Sequence, residues 1–269
     1  MTLELVVVGG GRMGGALVAG LLAHSWAPAE RIAVVERDPA RREALAVRHP
    51  GLVLSDDVPG GVAALVAVKP PDVAGVCRTL AARAAPRVLS VAAGIRLASL
   101  EAWLTPAEGS VPGVLRGMPN TPALVGRAAS ALSAGESADA ADLEWATGIL
   151  SSVGTVVSVP EPLLDAVTGL SGSGPAYLFL VAEALVDAGV LVGLPRDLSS
   201  RLTVQTLLGA AALLAETGEP PEALRAAVTS PAGTTAAGLR VLEAAAVRAA
   251  ILDAVTASAR RAGELGAAS

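Results

Sequence analysis

Leu3-Glu4-Leu5-Val6-Val7-Val8-Gly9-Gly10-Gly11-Arg12-Met13-Gly14 is the stretch that decides the fold. A β-branched apolar run ends on three glycines, and Gly14–Ala23 continues as a helical pattern. This is G-x-G-x-x-G in a strand–turn–helix context. Gly9 permits the tight turn, Gly11 lets backbone approach a pyrophosphate, and Gly14 lets helix and strand pack closely. Gly10, Arg12 and Met13 share the turn, and the helix N-terminus offers free N–H groups and a positive dipole to phosphates. The alternative is a glycine-rich turn with no ligand. The place of this turn after a first strand, in a βαβ setting, favours the dinucleotide.

Outward from this turn, Val-rich runs alternate with amphipathic stretches. The runs are Leu3–Val8, Arg31–Val35, Ala63–Val68 and Arg87–Val91, and the stretches include Pro39–Val47 and Asp72–Ala84. Strands alternating with helices predict βαβ units and a parallel sheet, and nearly continuous apolar strands predict cover on both faces. Further strand-like runs lie near Gly113–Arg116, Ala128–Ser133 and Gly154–Val159. After about residue 160 strand signals stop. Leu163–Leu170, Gly174–Ala188, Ser199–Glu216, Pro221–Val228 and Thr234–Leu265 read as Ala- and Leu-rich helices, punctuated by prolines. The expected fold is α/β: a doubly wound, mostly parallel, Rossmann-type domain over 1–159, then an all-α domain over 160–269 that binds substrate and dimerises.

Composition narrows the function. Apolar residues make up 52% of the 269, enough to exclude a disordered chain. Tyr177–Pro195, the most apolar long stretch, carries Glu183 and Asp187, so it holds no run of about 18 apolar residues. A net charge of -5 argues against nucleic acid as a partner. The single cysteine, Cys77, allows no internal disulfide and seeds no metal site. With no basic segment before the first apolar run, the reading is a cytoplasmic protein with no membrane partner. Of 20 basic residues only Lys69 is lysine, and Asn120 is the only asparagine.

Several residues belong with the first turn. Glu36 follows Val35 at the end of the second apolar run, where an acid accepts from a ribose 2′-hydroxyl. Arg37, next to it, suits a 2′-phosphate, so the pair points both ways. Val68, Lys69 and Pro70 end a strand, and ligands lie beyond the carboxyl ends of strands in open parallel sheets. A surface charge is the plain alternative for Lys69; its rarity and its place favour cofactor contact. Ala93 ends the next strand with a side chain small enough for a dinucleotide to lie against backbone. Arg116–Pro122, with two prolines, Asn120 and Thr121, reads equally as a functional loop or a rigid turn. Ser230, Gly233, Thr234 and Thr235 open another helix, and three hydroxyls with a glycine exceed what capping requires. Paired catalytic carboxylates, a Ser–His–Asp set and metal-ligand spacing are not found. A cofactor enzyme without an evident acid or base suggests hydride transfer to an already activated acceptor.

Taken together, VGGGRMGGAL (8–17), AVKPPDV (67–73), VAAGI (91–95), RGMPNTPALVG (116–126), DAVTGLSGSGPAYLFL (165–180), DAGVLVGLPR (187–196), QTLLGAA (205–211) and AVTSPAGTTAAGL (227–239) resemble the pyrroline-5-carboxylate reductase family. The resemblance runs along essentially the whole chain. It implies reduction of 1-pyrroline-5-carboxylate to L-proline by NADPH or NADH, with helical domains interlocked in a homodimer and dimers often assembled as decamers. It assigns the pyrophosphate to Gly9, Gly11, Arg12 and Met13, the adenosine ribose to Glu36 and Arg37, and the nicotinamide side to Val68, Lys69, Pro70 and Ala93. It places the substrate carboxylate on Gly233, Thr234 and Thr235 with Ser230 nearby, faces the Thr235 hydroxyl to the ring nitrogen, and puts Glu161 at a product contact. Two departures stand out: Ala232 where the family usually has glycine, and Glu36 where a smaller polar residue is common. The competing readings are another Rossmann imine or hydroxy-acid reductase and a non-catalytic dinucleotide-binding paralogue. Hydroxy-acid reductases generally keep a lysine or histidine in the helical half, and 160–269 contains neither.

Overall fold

The computed structural model describes residues 2–106 and 111–267. β1 (Leu5–Val8) turns into α1 (Arg12–Ala23), followed by β2 (Ile32–Val35), α2 (Pro39–Arg48), β3 (Val53–Ser55), β4 (Ala64–Val66), α3 (Pro70–Ala82), β5 (Arg87–Ser90) and α4 (Leu97–Leu104). Then come β6 (Gly113–Met118), β7 (Ala128–Ala134), α5 (Ala140–Ser151) and β8 (Gly154–Ser158). The strands form one sheet in the order β3-β2-β1-β4-β5-β6-β7-β8. Every neighbouring pair is parallel except β6 and β7. This is the expected doubly wound, mostly parallel sheet, with its order reversing between β1 and β4.

The strand sequences sort themselves onto two faces. In β1, Leu5 and Val7 join one core while Val6 and Val8 join the other, and all four are at most 4% exposed. The same alternation divides Ile32 and Val34 from Ala33 and Val35. Leu17, Val18 and Leu21 of α1 and Ile149 and Leu150 of α5 cover the first face. Val73, Cys77 and Leu80 of α3 and Leu97, Leu100 and Leu104 of α4 cover the second. Both faces are therefore dry, which is why the strands read as unbroken apolar runs.

The helical part contains α6 (Leu164–Val167), a π-turn (Thr168–Gly172), α7 (Gly174–Leu191), α8 (Arg196–Thr217), α9 (Pro221–Ala227), α10 (Thr234–Ala244) and α11 (Val247–Ala267). No strand follows Ser158 among the described residues. The predicted single helix Thr234–Leu265 is two. It breaks at Ala245-Ala246, where Ala246 takes a left-handed φ of 56°. Alanine is the best helix former, so this break left no trace in composition. α4, α5 and β3, a three-residue edge strand, are present beyond the elements expected from sequence.

By its contacts the chain forms two compact units: residues up to Ser173 together with those from Thr256, and Gly174–Val255. In the first unit Arg96 reaches Asp165 at 3.5 Å and the Gly263 carbonyl at 3.5 Å, tying α4, α6 and the end of α11. Asn120, 8% exposed, receives the Ala129 N–H at 2.9 Å and donates to the Ser171 carbonyl at 2.9 Å. It thus clamps the β6–β7 connection to the π-turn. In the second unit Gly189 of α7 lies so close to Ser199 of α8 that a Cβ would collide with the Ser199 hydroxyl, which donates to the Val186 carbonyl at 2.8 Å. The helical stretches 161–191 and 196–217 reach the length and apolarity of a membrane span, and both carry charges, among them Glu183, Asp187, Asp197 and Arg201.

Two predictions follow from this packing. Asn120→Ala leaves a buried N–H and carbonyl without their partner, so urea unfolding should show a loss of about 2 kcal/mol. The Cys77 thiol is 0% exposed, and burial pushes its pKa up from the ordinary 9.0 to about 12. The unfolded chain then ionises first. The stabilisation from Cys77 is whole below pH 9 and declines as pH rises from 9 to 12. Iodoacetamide at pH 8 should label denatured protein and spare the native form.

Candidate active site

Four loops meet at the carboxyl ends of neighbouring parallel strands β2, β1, β4 and β5. Their order follows from the ladder: Val8 is opposite Val35 on one side and Val66 on the other, and Val66 is opposite Ser90. Gly9 N–H donates to the Val35 carbonyl at 2.8 Å, Ala67 N–H to Val8 at 2.8 Å, and Val91 N–H to Val66 at 3.0 Å. The structure thereby gathers Gly9–Gly14, Glu36 and Arg37, Val68–Pro70, and Ala93 at one end of the sheet.

The glycines answer to distinct constraints. Gly9 has φ 107°, and a Cβ there would sit 2.7 Å from the Ala67 carbonyl oxygen. A Cβ on Gly14 would run into the Gly9 carbonyl. Gly11 is different: a Cβ there meets nothing within 4 Å. Its smallness is not demanded by the protein, which fits a position where a ligand comes close. Gly11 is the N-cap of α1, with no side-chain cap and no acid in the first turn. By contrast Asp38 caps α2, and Asp139 caps α5 in a capping box. An uncapped N-terminus at the reversal of strand order fits a dinucleotide diphosphate.

Glu36, 8% exposed, stands across the mouth of this turn. Its carboxylate receives the Gly10 N–H at 3.1 Å and the Asp38 N–H at 3.0 Å. Arg41 approaches it at 3.7 Å. Gly10 lies against Glu36 and Leu45, where a Cβ would be 2.7 Å from the leucine. Arg37 is turned outward, with its side chain 80% exposed, and meets Asp72 at 3.4 Å. Lys69, the N-cap of α3, Pro70 and Ala93 are exposed, and Val68 is half-buried beside Gly9.

Glu161 also lies in the first unit. Its carboxylate receives the Arg116 guanidinium at 2.8 Å and the Leu97 N–H at 2.7 Å. It therefore serves the N-terminus of α4, and Arg116 is only 3% exposed. Neither partner is legible in the sequence, where a lone arginine at a strand end carries no such signal. The remaining candidates belong to the second unit. Gly233 is the N-cap of α10, again with no side-chain cap and no acid in the first turn. Ser230 packs directly against it, Thr234 is exposed and Thr235 is half-buried. Ala232, which takes the place of the family's glycine, holds φ 59°. That is a left-handed conformation costing an L-residue about 1–2 kcal/mol.

Comparison with known proteins gives a consistent picture. A family model described as pyrroline-5-carboxylate reductase dimerisation matches residues 161–265, and one described as NADP oxidoreductase coenzyme F420-dependent matches 4–94. Pyrroline-5-carboxylate reductase of a Synechocystis strain is 43% identical over 270 residues, covering 99% of each chain. The Arabidopsis thaliana enzyme of that name is 39% identical over 96% of this chain and 94% of its own. Among solved structures, a pyrroline-5-carboxylate reductase from Coxiella burnetii superposes with TM-score 0.89 at 35% identity, over 98% and 99% of the two chains. The Plasmodium falciparum pyrroline carboxylate reductase, solved with NADP bound, gives TM-score 0.84 at 27% identity, over 98% of each. With a full-length match at this identity and both halves accounted for, the chain belongs to the pyrroline-5-carboxylate reductase family.

Proposed function

We propose that this chain reduces 1-pyrroline-5-carboxylate to L-proline with NAD(P)H, the last step of proline synthesis. The observation that carries the reading is the pair of helix N-termini that begin on glycine with neither a side-chain cap nor an acid in the first turn, α1 behind Gly11 and α10 behind Gly233, each with the residues of its family motif in place. The bound dinucleotide supplies the hydride. Its diphosphate is held by the turn at Gly9, Gly10, Gly11, Arg12, Met13 and Gly14, and its adenosine ribose by Glu36 and Arg37. Val68, Lys69, Pro70 and Ala93 line the nicotinamide side.

The substrate carboxylate is held by the N–H groups at Gly233, Thr234 and Thr235, with Ser230 beside them. Amides at a helix N-terminus bind an anion without a basic residue. A protonated imine accepts hydride far better than a neutral one, because its nitrogen takes the electron pair without becoming an anion. Thr235 is a poor acid in water, so its hydroxyl orients the ring nitrogen through a hydrogen bond. Most of the rate comes from holding the ring against the cofactor. Glu161, which the resemblance puts at a product contact, is held by Arg116 and the Leu97 N–H at the start of α4.

The protein is a homodimer through its dimerisation domain. Leu178, Phe179, Leu180, Leu191 and Val192 of the α7 region are 60% to 86% exposed, which supports cover by a second copy. Decamers of five dimers and a cytoplasmic location complete the proposal.

The test is pyrroline-carboxylate-dependent oxidation of NAD(P)H near neutrality, with proline-dependent reduction of NAD(P)⁺ at high pH. Cofactor binding without turnover would make the chain a dinucleotide-binding paralogue instead. Thr235→Ala should lower kcat about tenfold, about 1.4 kcal/mol; an unchanged kcat/KM removes Thr235 from the mechanism. Glu161→Ala leaves the buried Arg116 unpaired and should cost about 3 kcal/mol in denaturant unfolding. An unshifted midpoint would show that the pair carries no stability.

A further inference from the structure

We propose that Glu36 makes this enzyme prefer NADH to NADPH. The inference rests on the reading of the glycine turn as the dinucleotide site. It comes from the hydrogen bonds that hold the carboxylate and from the ion pairs that occupy its neighbours.

Glu36 is fixed. One oxygen receives the Gly10 N–H at 3.1 Å and the other the Asp38 N–H at 3.0 Å, and only 10% of the side chain is exposed. The carboxylate thus bridges the turn after β1 to the turn after β2. It cannot swing away without leaving both N–H groups unpaired. Each oxygen of a carboxylate has two lone pairs. With one used on each side by backbone, each keeps another for a donor. The vicinal hydroxyls of an adenosine ribose are such donors. A 2′-phosphate near neutral pH carries about -1.5 to -2 charge and offers acceptor oxygens. It brings charge of the same sign and little hydrogen to donate.

Two of the arginines that could reverse this balance are engaged elsewhere. Arg42 donates to the Glu36 carbonyl at 2.6 Å and to the Arg37 carbonyl at 3.3 Å, so it braces the backbone. Arg41 lies 3.7 Å from Glu36 and 3.4 Å from Asp38. Arg37 is the side chain best placed to turn toward a phosphate. Its head is 80% exposed, and its field is screened by water and salt far more than that of the held carboxylate. One fixed, shielded anion therefore outweighs one exposed, hydrated cation that already faces Asp72.

The experiment titrates the purified full-length protein with NADH and with NADPH, following nicotinamide fluorescence without substrate. NADH should bind with a Kd at least tenfold below that of NADPH. Glu36→Gln removes the charge and should bring the two within about threefold of each other. Arg37→Ala, at an exposed position that folding tolerates, should widen the preference, because the cation facing a 2′-phosphate is lost. Equal binding, or tighter NADPH, in the unmodified protein overturns the inference and leaves the dinucleotide site standing. So does a tenfold preference that Glu36→Gln leaves intact. Failure of either nucleotide to bind overturns the reading of the glycine turn, and this inference with it.

Discussion

Where α1 packs on β1, at Gly9 and Gly14, there is no room for a side chain. A Cβ on Gly14 would strike the Gly9 carbonyl, and one on Gly9 would press on the Ala67 backbone. The turn therefore brings the start of α1 hard against the end of β1, and β1 against the loop that leaves β4. The order of the strands does the rest. Because the chain runs outward from β1 to β3 and then returns to lay β4 on the other side of β1, the loops after β1 and β4 diverge. Open α/β sheets place their ligand crevice where such loops part, and α1 begins there without a side-chain cap. A larger residue at Gly9 or Gly14 would shift α1 and close this arrangement, whatever the rest of the sheet did.

The helices begin differently: α3, α8 and α9 lack a side-chain cap but carry an acid in the first turn. α2 and α5 start on aspartates whose carboxylates accept their first N–H groups. α4 borrows the carboxylate of Glu161 from a distant part of the chain. These helices satisfy their own N-termini. α1 and α10 begin on glycine, without a side-chain cap and without acid in the first turn. Uncapped N-termini cost stability unless something else satisfies them. On the proposed reading the cofactor diphosphate fills that place at α1 and the substrate carboxylate at α10. The strained Ala232 just before Gly233 is consistent with a loop held in shape for function and not for stability.

Much of this was legible in the residues because the constraint was local. The glycine turn, the two-faced strands and the change to helix after residue 160 follow from side-chain size and periodicity, which neighbours in sequence reveal. What escaped was set by distant partners. Glu161 entered only through the resemblance, as a product contact; its partners Arg116 and Leu97 lie far away in sequence. Asn120 read equally as a binding group or a turn former; it ties two backbone segments together. Glu36 and Arg37 pointed opposite ways because charge alone does not say which is held and which is loose. The break at Ala246 was invisible because an alanine in a left-handed conformation is spelled like an alanine in a helix.

The second unit shows the limit of reading one chain at a time. α7 contains no buried residue, and Ser199 and Thr203 are the buried residues of α8. Helices of this length cannot draw their stability from propensity; an apolar face has to be covered. Within the unit, closeness is achieved through small side chains, as where Gly189 meets Ser199, and the larger apolar ones are left outward. Cover by a second copy makes folding of this unit and association one equilibrium, so its apparent stability depends on protomer concentration. The same helices precede the turn that carries Ser230, Gly233 and Thr235. On the proposed reading that turn holds the substrate carboxylate, so covering the helices that precede it would also steady the site that has to align a small ring.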